Sequence, residues 1–205
     1  MRKMKIGLIK ETKIPVDNRV AVTPRQVAEL NKRFPQHKIV VQSSNIRAFS
    51  DEDYRLAGVD VVGDVSDCDI LFGIKEVQIE ELIPNKHYFF FGHLAKMQEY
   101  NRPLLKALVK KNITFSDYEY LVDDNNVRVC AFGWWAGIVG VYYTLRGYGL
   151  KYELYELPQP DCKFSLTQLI ETLKSVALPK MKMLVTGAGR VSQGAQYVLE
   201  KIGAE

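Results

Sequence analysis

Up to Val122, short runs rich in isoleucine, valine and phenylalanine alternate with stretches of helical period, and this alternation constrains the fold more than any single motif. The runs are "KIGLI", "HKIVVQSS", "VDVVG", "CDILFGIKE", "KHYFFFGH" and "ITFSDYEYLV". Between them lie "TPRQVAELNKRF", "DEDYRLAG" and "YNRPLLKALVKKN". Short apolar runs bounded by turn residues fit strands buried on both faces, and the intervening periodic segments fit helices that cover them. The order is that of βαβ units, so the chain is expected to be an α/β protein with a mostly parallel, Rossmann-like sheet. Thr23 followed by Pro24 predicts the start of a helix, as an N-cap followed by proline at the first helical position.

After Val122 the turn-forming "DDNN" gives way to "VCAFGWWAGIVGVYYTL", an uncharged run broken by three glycines. It falls short of the ~20 apolar residues a spanning helix needs, so it reads as a buried helix and no membrane partner is expected. "LPQPDCKFS" is a second loop with two prolines. These breaks divide the chain into a Rossmann-like domain, residues 1–132, and residues 133–205, a connecting helix followed by the opening of a second α/β domain whose first strand is "KMLVT".

Basic residues (28) exceed acidic ones (24) by 4, and the charges are dispersed, which argues against a nucleic-acid partner. Cys68, Cys130 and Cys162 lie far apart without CxxC spacing, so neither a disulfide framework nor a metal site is expected. "MRKMKIGLIKE" lacks the apolar h-region of a signal peptide. Together these features predict a cytoplasmic protein; no sequence feature speaks to its oligomeric state. His37 and His87 sit beside loop signals and are expected at the surface.

Gly187, Ala188 and Gly189 follow an expected strand and precede an expected helix. Backbone N–H groups and the positive helix end could there meet a pyrophosphate, which makes Gly187, Gly189, Arg190, Val191 and Gly194 candidate cofactor residues. Ser192 stands where a third fingerprint glycine is expected, and Gly194 follows two residues later. The residue that separates NAD from NADP is expected ~20 positions beyond the turn, past Glu205, so the two cofactors are not distinguished. The chain therefore reads as the front portion of a longer enzyme, with the nucleotide-binding Rossmann domain truncated just after its start.

Lys75 closes the expected strand "DILFGI" and His93 follows "YFFFG", so both would project from strand ends into one cleft of a parallel sheet. By themselves these residues are equally compatible with an exposed lysine and a strand-end histidine bonded to backbone. The blocks "KIGLIKETKIPVDNRVAVTP", "ILFGIKEV", "FFFGHLAKMQEYNRPLL", "DYEYLVDDNNVRVCAFGWWAGIVG" and "VTGAGRVSQGAQ" together resemble the alanine dehydrogenase and transhydrogenase N-terminal superfamily. The fourth and fifth blocks resemble its saccharopine dehydrogenase and lysine-ketoglutarate reductase branch more closely. That resemblance implies an enzyme that joins lysine and 2-oxoglutarate reversibly through a secondary amine, using NAD or NADP.

The resemblance makes Lys75 and His93 the catalytic pair and implies substrate-binding roles for Arg19, Arg128, Glu76 and Glu119. Imine formation and reduction need proton transfers near neutral pH, which suits a lysine and a histidine. Arginine meets substrate carboxylates with paired hydrogen bonds, and the carboxylates could hold a substrate amine. "GHLAK" departs from the saccharopine branch, because "HLA" is a form seen in alanine dehydrogenases. Two alternatives therefore stay open: alanine dehydrogenase, acting on pyruvate and ammonia, and a non-catalytic amino-acid-binding module.

Overall fold

The structure is a computed structural model that describes residues 3–161 and 164–203; Cys162 lies outside the described residues. The chain divides into two compact units, Met1–Cys130 and Ala131–Glu205. The first is built on six strands, β1 (Lys5–Leu8), β2 (Lys38–Gln42), β3 (Asp60–Val62), β4 (Ile70–Lys75), β5 (His87–Phe91) and β6 (Thr114–Asp117). All pair in parallel, in the order β3-β2-β1-β4-β5-β6. The chain runs outward from β1 to one edge, returns to lay β4 on the other side of β1, and then runs outward again. That reversal opens a crevice beyond the carboxyl ends of β1 and β4.

Helices α1 (Pro24–Arg33) and α2 (Asp51–Leu56) belong to one layer, where Leu8, Val27, Val41, Tyr54 and Val59 form a buried cluster. Helix α3 (Arg102–Lys110) contributes Leu104, Ala107 and Leu108 to a larger core with Val40, Leu71, Tyr88 and Phe90. Alternation along β5 sends Tyr88 and Phe90 into that core, while Phe89 stacks on Phe72 at 4.6 Å. The Thr23 cap is a full capping box: the Gln26 N–H donates to Thr23 Oγ1, and the Thr23 N–H donates to Gln26 Oε1 at 2.9 Å. Thr23→Ala is expected to cost about 1 kcal/mol in urea unfolding, and an unchanged midpoint would count against the cap.

Two expectations need correction. His37 and His87 are half-buried rather than surface residues. His37 Nδ1 accepts from the Met4 N–H at 3.3 Å. His87 opens β5 itself, with Nε2 2.8 Å from Ser116 Oγ and its ring stacked on Phe89, and burial lowers its pKa.

The second unit holds α4 (Gly133–Lys151), α5 (Leu166–Lys174) and α6 (Arg190–Ile202) around Ile138, Tyr142, Leu145, Leu173 and Val198. Residues 182–186, expected as a strand, are not one. Met183 and Val185 pack on that core while Leu184 is 88% exposed, so the strand's alternation is present. A strand is completed by a neighbour's N–H and C=O groups, and this unit has no other strand among the described residues. Among the described residues no helix is long and apolar enough to cross a membrane.

Candidate active site

Four chain segments leave the sheet at the crevice. Glu11 lies three residues past β1, Lys75 ends β4, His93 lies two residues past β5, and Glu119 lies two residues past β6. His93 takes a left-handed backbone, φ 52°, which is uncommon for a residue with a side chain. The buried Asn101 side chain donates to the His93 carbonyl at 3.4 Å and ties down the loop that carries the imidazole. Glu119 is set by Asp117, whose Oδ1 accepts the Glu119 N–H at 2.9 Å and starts the single 3-10 turn Tyr118–Tyr120.

The Glu119 carboxylate is buried and gathers three donors. Oε2 is 2.9 Å from His93 Nδ1, and Oε1 is 3.0 Å from Lys96 Nζ and 3.1 Å from the Arg128 guanidinium. The His93 hydrogen bond, then that from Lys96, hold its carboxyl at about 2. An ionised carboxylate only accepts, so His93 carries its proton on Nδ1, and the neutral imidazole presents a lone pair at Nε2. Lys75 Nζ stands 3.5 Å from that nitrogen and can donate to it. Lys75, His93 and Glu119 thus form one chain of proton contacts.

Glu11 borders this chain from the β1 side. It is 8% exposed, with Oε1 accepting the Ile74 N–H at 2.6 Å and Oε2 the Lys75 N–H at 2.9 Å. Burial raises its carboxyl to about 6 against the pull of those two amides. Nearby, Arg19 grips Asp17, with Nε 2.9 Å from Oδ1. Burial opposes the Asp17 charge, but the Arg19 bonds win and hold its pKa down. The charge of Lys75 acts on Asp17, and that of Arg19 on Glu11, so this pair belongs to the same electrostatic neighbourhood.

Four of the six catalytic and substrate residues expected from sequence, Lys75, His93, Glu119 and Arg128, are therefore in contact, and Arg19 is coupled to them through Asp17 and Glu11. Glu76 is different: its carboxylate pairs with Lys13 at 2.8 Å, outside the Lys75–His93–Glu119 chain. Sequence reasoning missed Glu11, Asp17, Lys13, Lys96 and Asn101. Glu11 and Lys96 had a local signal, being charged residues within three positions of a strand end or of His93.

The two glutamates give opposite pH dependences. Glu119 sits below its ordinary 4.5 in the folded chain, so its contribution to stability is complete above that pH and is lost as pH falls toward 2. Glu11 sits above 4.5, so its contribution is present below that pH and is lost as pH rises through about 6. The Glu11 effect is on the order of 2 kcal/mol, and that of Glu119 is less than its shift alone implies, because solvent screens its half-exposed partners Lys96 and Arg128. Urea unfolding from pH 3 to 7 should show Glu119→Gln flattening the acid limb and Glu11→Gln the decline above pH 5; parallel curves for wild type and both variants would contradict this.

In the second unit Gly187 has φ +86° and Gly189 caps α6 without a side-chain bond. A Cβ on either would meet nothing within 4 Å, so the first amides of α6 are openly approachable. Arg190 and Val191 form the first turn of α6, and the Val191 side chain is 55% exposed. Gly194 is not part of the turn. It is buried in α6, where a Cβ would come within 1.9 Å of the Trp134 carbonyl oxygen, so its place is in the α4–α6 contact.

Six parallel strands in this order define a Rossmann-like α/β domain, and a cluster of titratable side chains lies beyond its strand ends at the switch point. The chain belongs to the alanine dehydrogenase/PNT N-terminal domain family, which it matches over residues 7–139. It is 31% identical over 207 residues to the mitochondrial alpha-aminoadipic semialdehyde synthase of Bos taurus, covering 92% of this chain and 22% of that protein. It is 33% identical over 211 residues to a saccharopine dehydrogenase [NAD(+), L-lysine-forming] of Candida glabrata, covering 94% of this chain and 56% of that one. The chain thus spans only part of the length of these relatives. An L-alanine dehydrogenase structure shares the fold with a TM-score of 0.72 at 23% identity, over 98% of this chain and 53% of that one.

Proposed function

We propose that the chain supplies the substrate-handling acid–base site of an NAD(P)-dependent amino-acid oxidoreductase, one that joins lysine and 2-oxoglutarate through a secondary amine. The observation that carries this reading is the contact chain Lys75, His93, Glu119. Joining an amine to a keto acid requires the amine to lose protons and the carbonyl oxygen to gain them and leave as water. Lys75 Nζ and His93 Nε2, 3.5 Å apart, can pass one proton between them, and Glu119 fixes which ring nitrogen receives it. Arg19 and Arg128 would hold substrate carboxylates, since a guanidinium's planar fork of N–H donors matches the two oxygens of a carboxylate. Glu76 is assigned to the substrate amine.

Gly187 and Gly189 fit a dinucleotide pyrophosphate, because no side chain bars the first amides of α6. Bound there, the cofactor supplies or accepts the hydride. The names of the bovine and Candida relatives support the lysine reading. The Gly92, His93, Leu94, Ala95 run favours a second reading, alanine dehydrogenase.

NADH and NADPH oxidation with lysine plus 2-oxoglutarate, compared with ammonium plus pyruvate and measured on the protein at the length of its relatives, tests the reading, with turnover expected for the first pair. Turnover with the second pair alone would replace it by the alanine reading. Calorimetric binding of an amino acid with no turnover under any pair would make the chain a binding module.

A further inference from the structure

We infer that Glu11 is a positioning residue for Lys75: its carboxylate continues the β1–β4 ladder after the β1 backbone turns away, and so fixes where the Lys75 side chain leaves the sheet. This rests on the reading of Lys75 as an acid–base group. The β1–β4 pairing runs through Ile6–Ile70, Gly7–Leu71 and Leu8–Phe72, and the Ile9 N–H still donates to the Phe72 carbonyl at 2.9 Å. Beyond that point the amides of Ile74 and Lys75 are met by the two oxygens of one side chain, at 2.6 and 2.9 Å.

Successive amides of a regular strand point to opposite sides, so a single carboxylate cannot take both. Here the β4–β5 register shifts between Phe72 and Lys75, so that Phe89 opposes Phe72 while Phe91 opposes Lys75. A bulge of this kind re-aims a side chain, and Glu11 holds the re-aimed backbone. Gly73 leaves the space: a Cβ there would lie 3.0 Å from Ile9 Cδ1 and 3.4 Å from Glu11 Oε1. A buried carboxylate that accepts two adjacent main-chain amides is a costly arrangement for a strand end that serves only packing. Its beneficiary is the one residue whose side chain starts at the second amide and reaches His93.

Glu11→Gln keeps the shape but presents N–H groups to one of the two amides. The test is limiting acetylation with an N-hydroxysuccinimidyl acetate, quantified by peptide mass spectrometry as Lys75 relative to the exposed Lys106 and Lys151. In Glu11→Gln this ratio should change about threefold or more, and amide exchange at Ile74 and Lys75 should speed up about tenfold. Val27→Ala, which truncates a fully buried residue of the same unit, should lower stability and leave the Lys75 ratio unchanged.

A Lys75 ratio unaltered in a folded Glu11→Gln, or altered equally in Val27→Ala, overturns the inference. If Glu11→Gln does not fold, Glu11→Asp decides, because it keeps the charge but shortens the reach to the Ile74 and Lys75 amides: a shifted ratio supports the inference and an unshifted one overturns it. Failure of the turnover assay on wild type would remove the proposed function while leaving this labelling comparison readable.

Discussion

Gly194→Ala is expected to unfold the second unit under conditions where the wild type is intact, at a cost of about 3 kcal/mol or more. The added Cβ would lie 1.9 Å from the Trp134 carbonyl oxygen and 2.8 Å from its carbon. Those are backbone atoms of α4, so no side-chain rotation relieves the clash and the helices must separate. Gly137→Ala meets the same obstacle from the other side, at 1.9 Å from the Val191 carbonyl oxygen. Gly140, on the same helix, is exposed, and a Cβ there would meet nothing within 4 Å, so Gly140→Ala should stabilise by about 0.5–1 kcal/mol through helix propensity. The chain's two tryptophans, Trp134 and Trp135, both lie in α4, so their fluorescence reports this unit alone. Equal effects of alanine at 140 and 194 would show that α4 and α6 do not meet backbone to backbone.

The six strands were legible because each depends on a short apolar run with a neighbour of the same kind, and the sequence supplies six in order. The capped start of α1 was legible because a cap is written in adjacent residues, Thr23 and Pro24. Residues 182–186 carried the same local signal and are not a strand, since pairing is a property of two segments and local pattern describes only one. Lys75 and His93 could be found as polar residues at the ends of apolar runs, but the resemblance was needed to choose them over other lysines and histidines. Glu119 and Arg128 came from resemblance alone. Glu11 was invisible in its role, because that role depends on where β1 ends and β4 bulges, and neither is encoded at position 11. His87 shows the converse: it lies in the run that became β5, and the turn signal beside it misled only about its exposure.

Under the proposed function, Lys75→Met and His93→Asn should each lower kcat by about 10²–10⁴, the usual worth of a positioned proton donor or acceptor. Methionine keeps most of the lysine stem, so the loss would report the missing Nζ rather than lost packing. KM should move far less than kcat, because neither group is assigned to the substrate carboxylates. The double variant separates two kinds of site. If the proton passes through the 3.5 Å contact between Lys75 Nζ and His93 Nε2, removing either end breaks the same route, and the double variant should be little worse than the poorer single one. Glu119→Gln should act through the imidazole, because an amide can offer His93 Nδ1 a donor where the carboxylate offered only acceptors, and the wrong tautomer then faces Lys75. Losses that multiply across the double variant would instead mean two separate proton routes, with the lysine and histidine adjacent but independent.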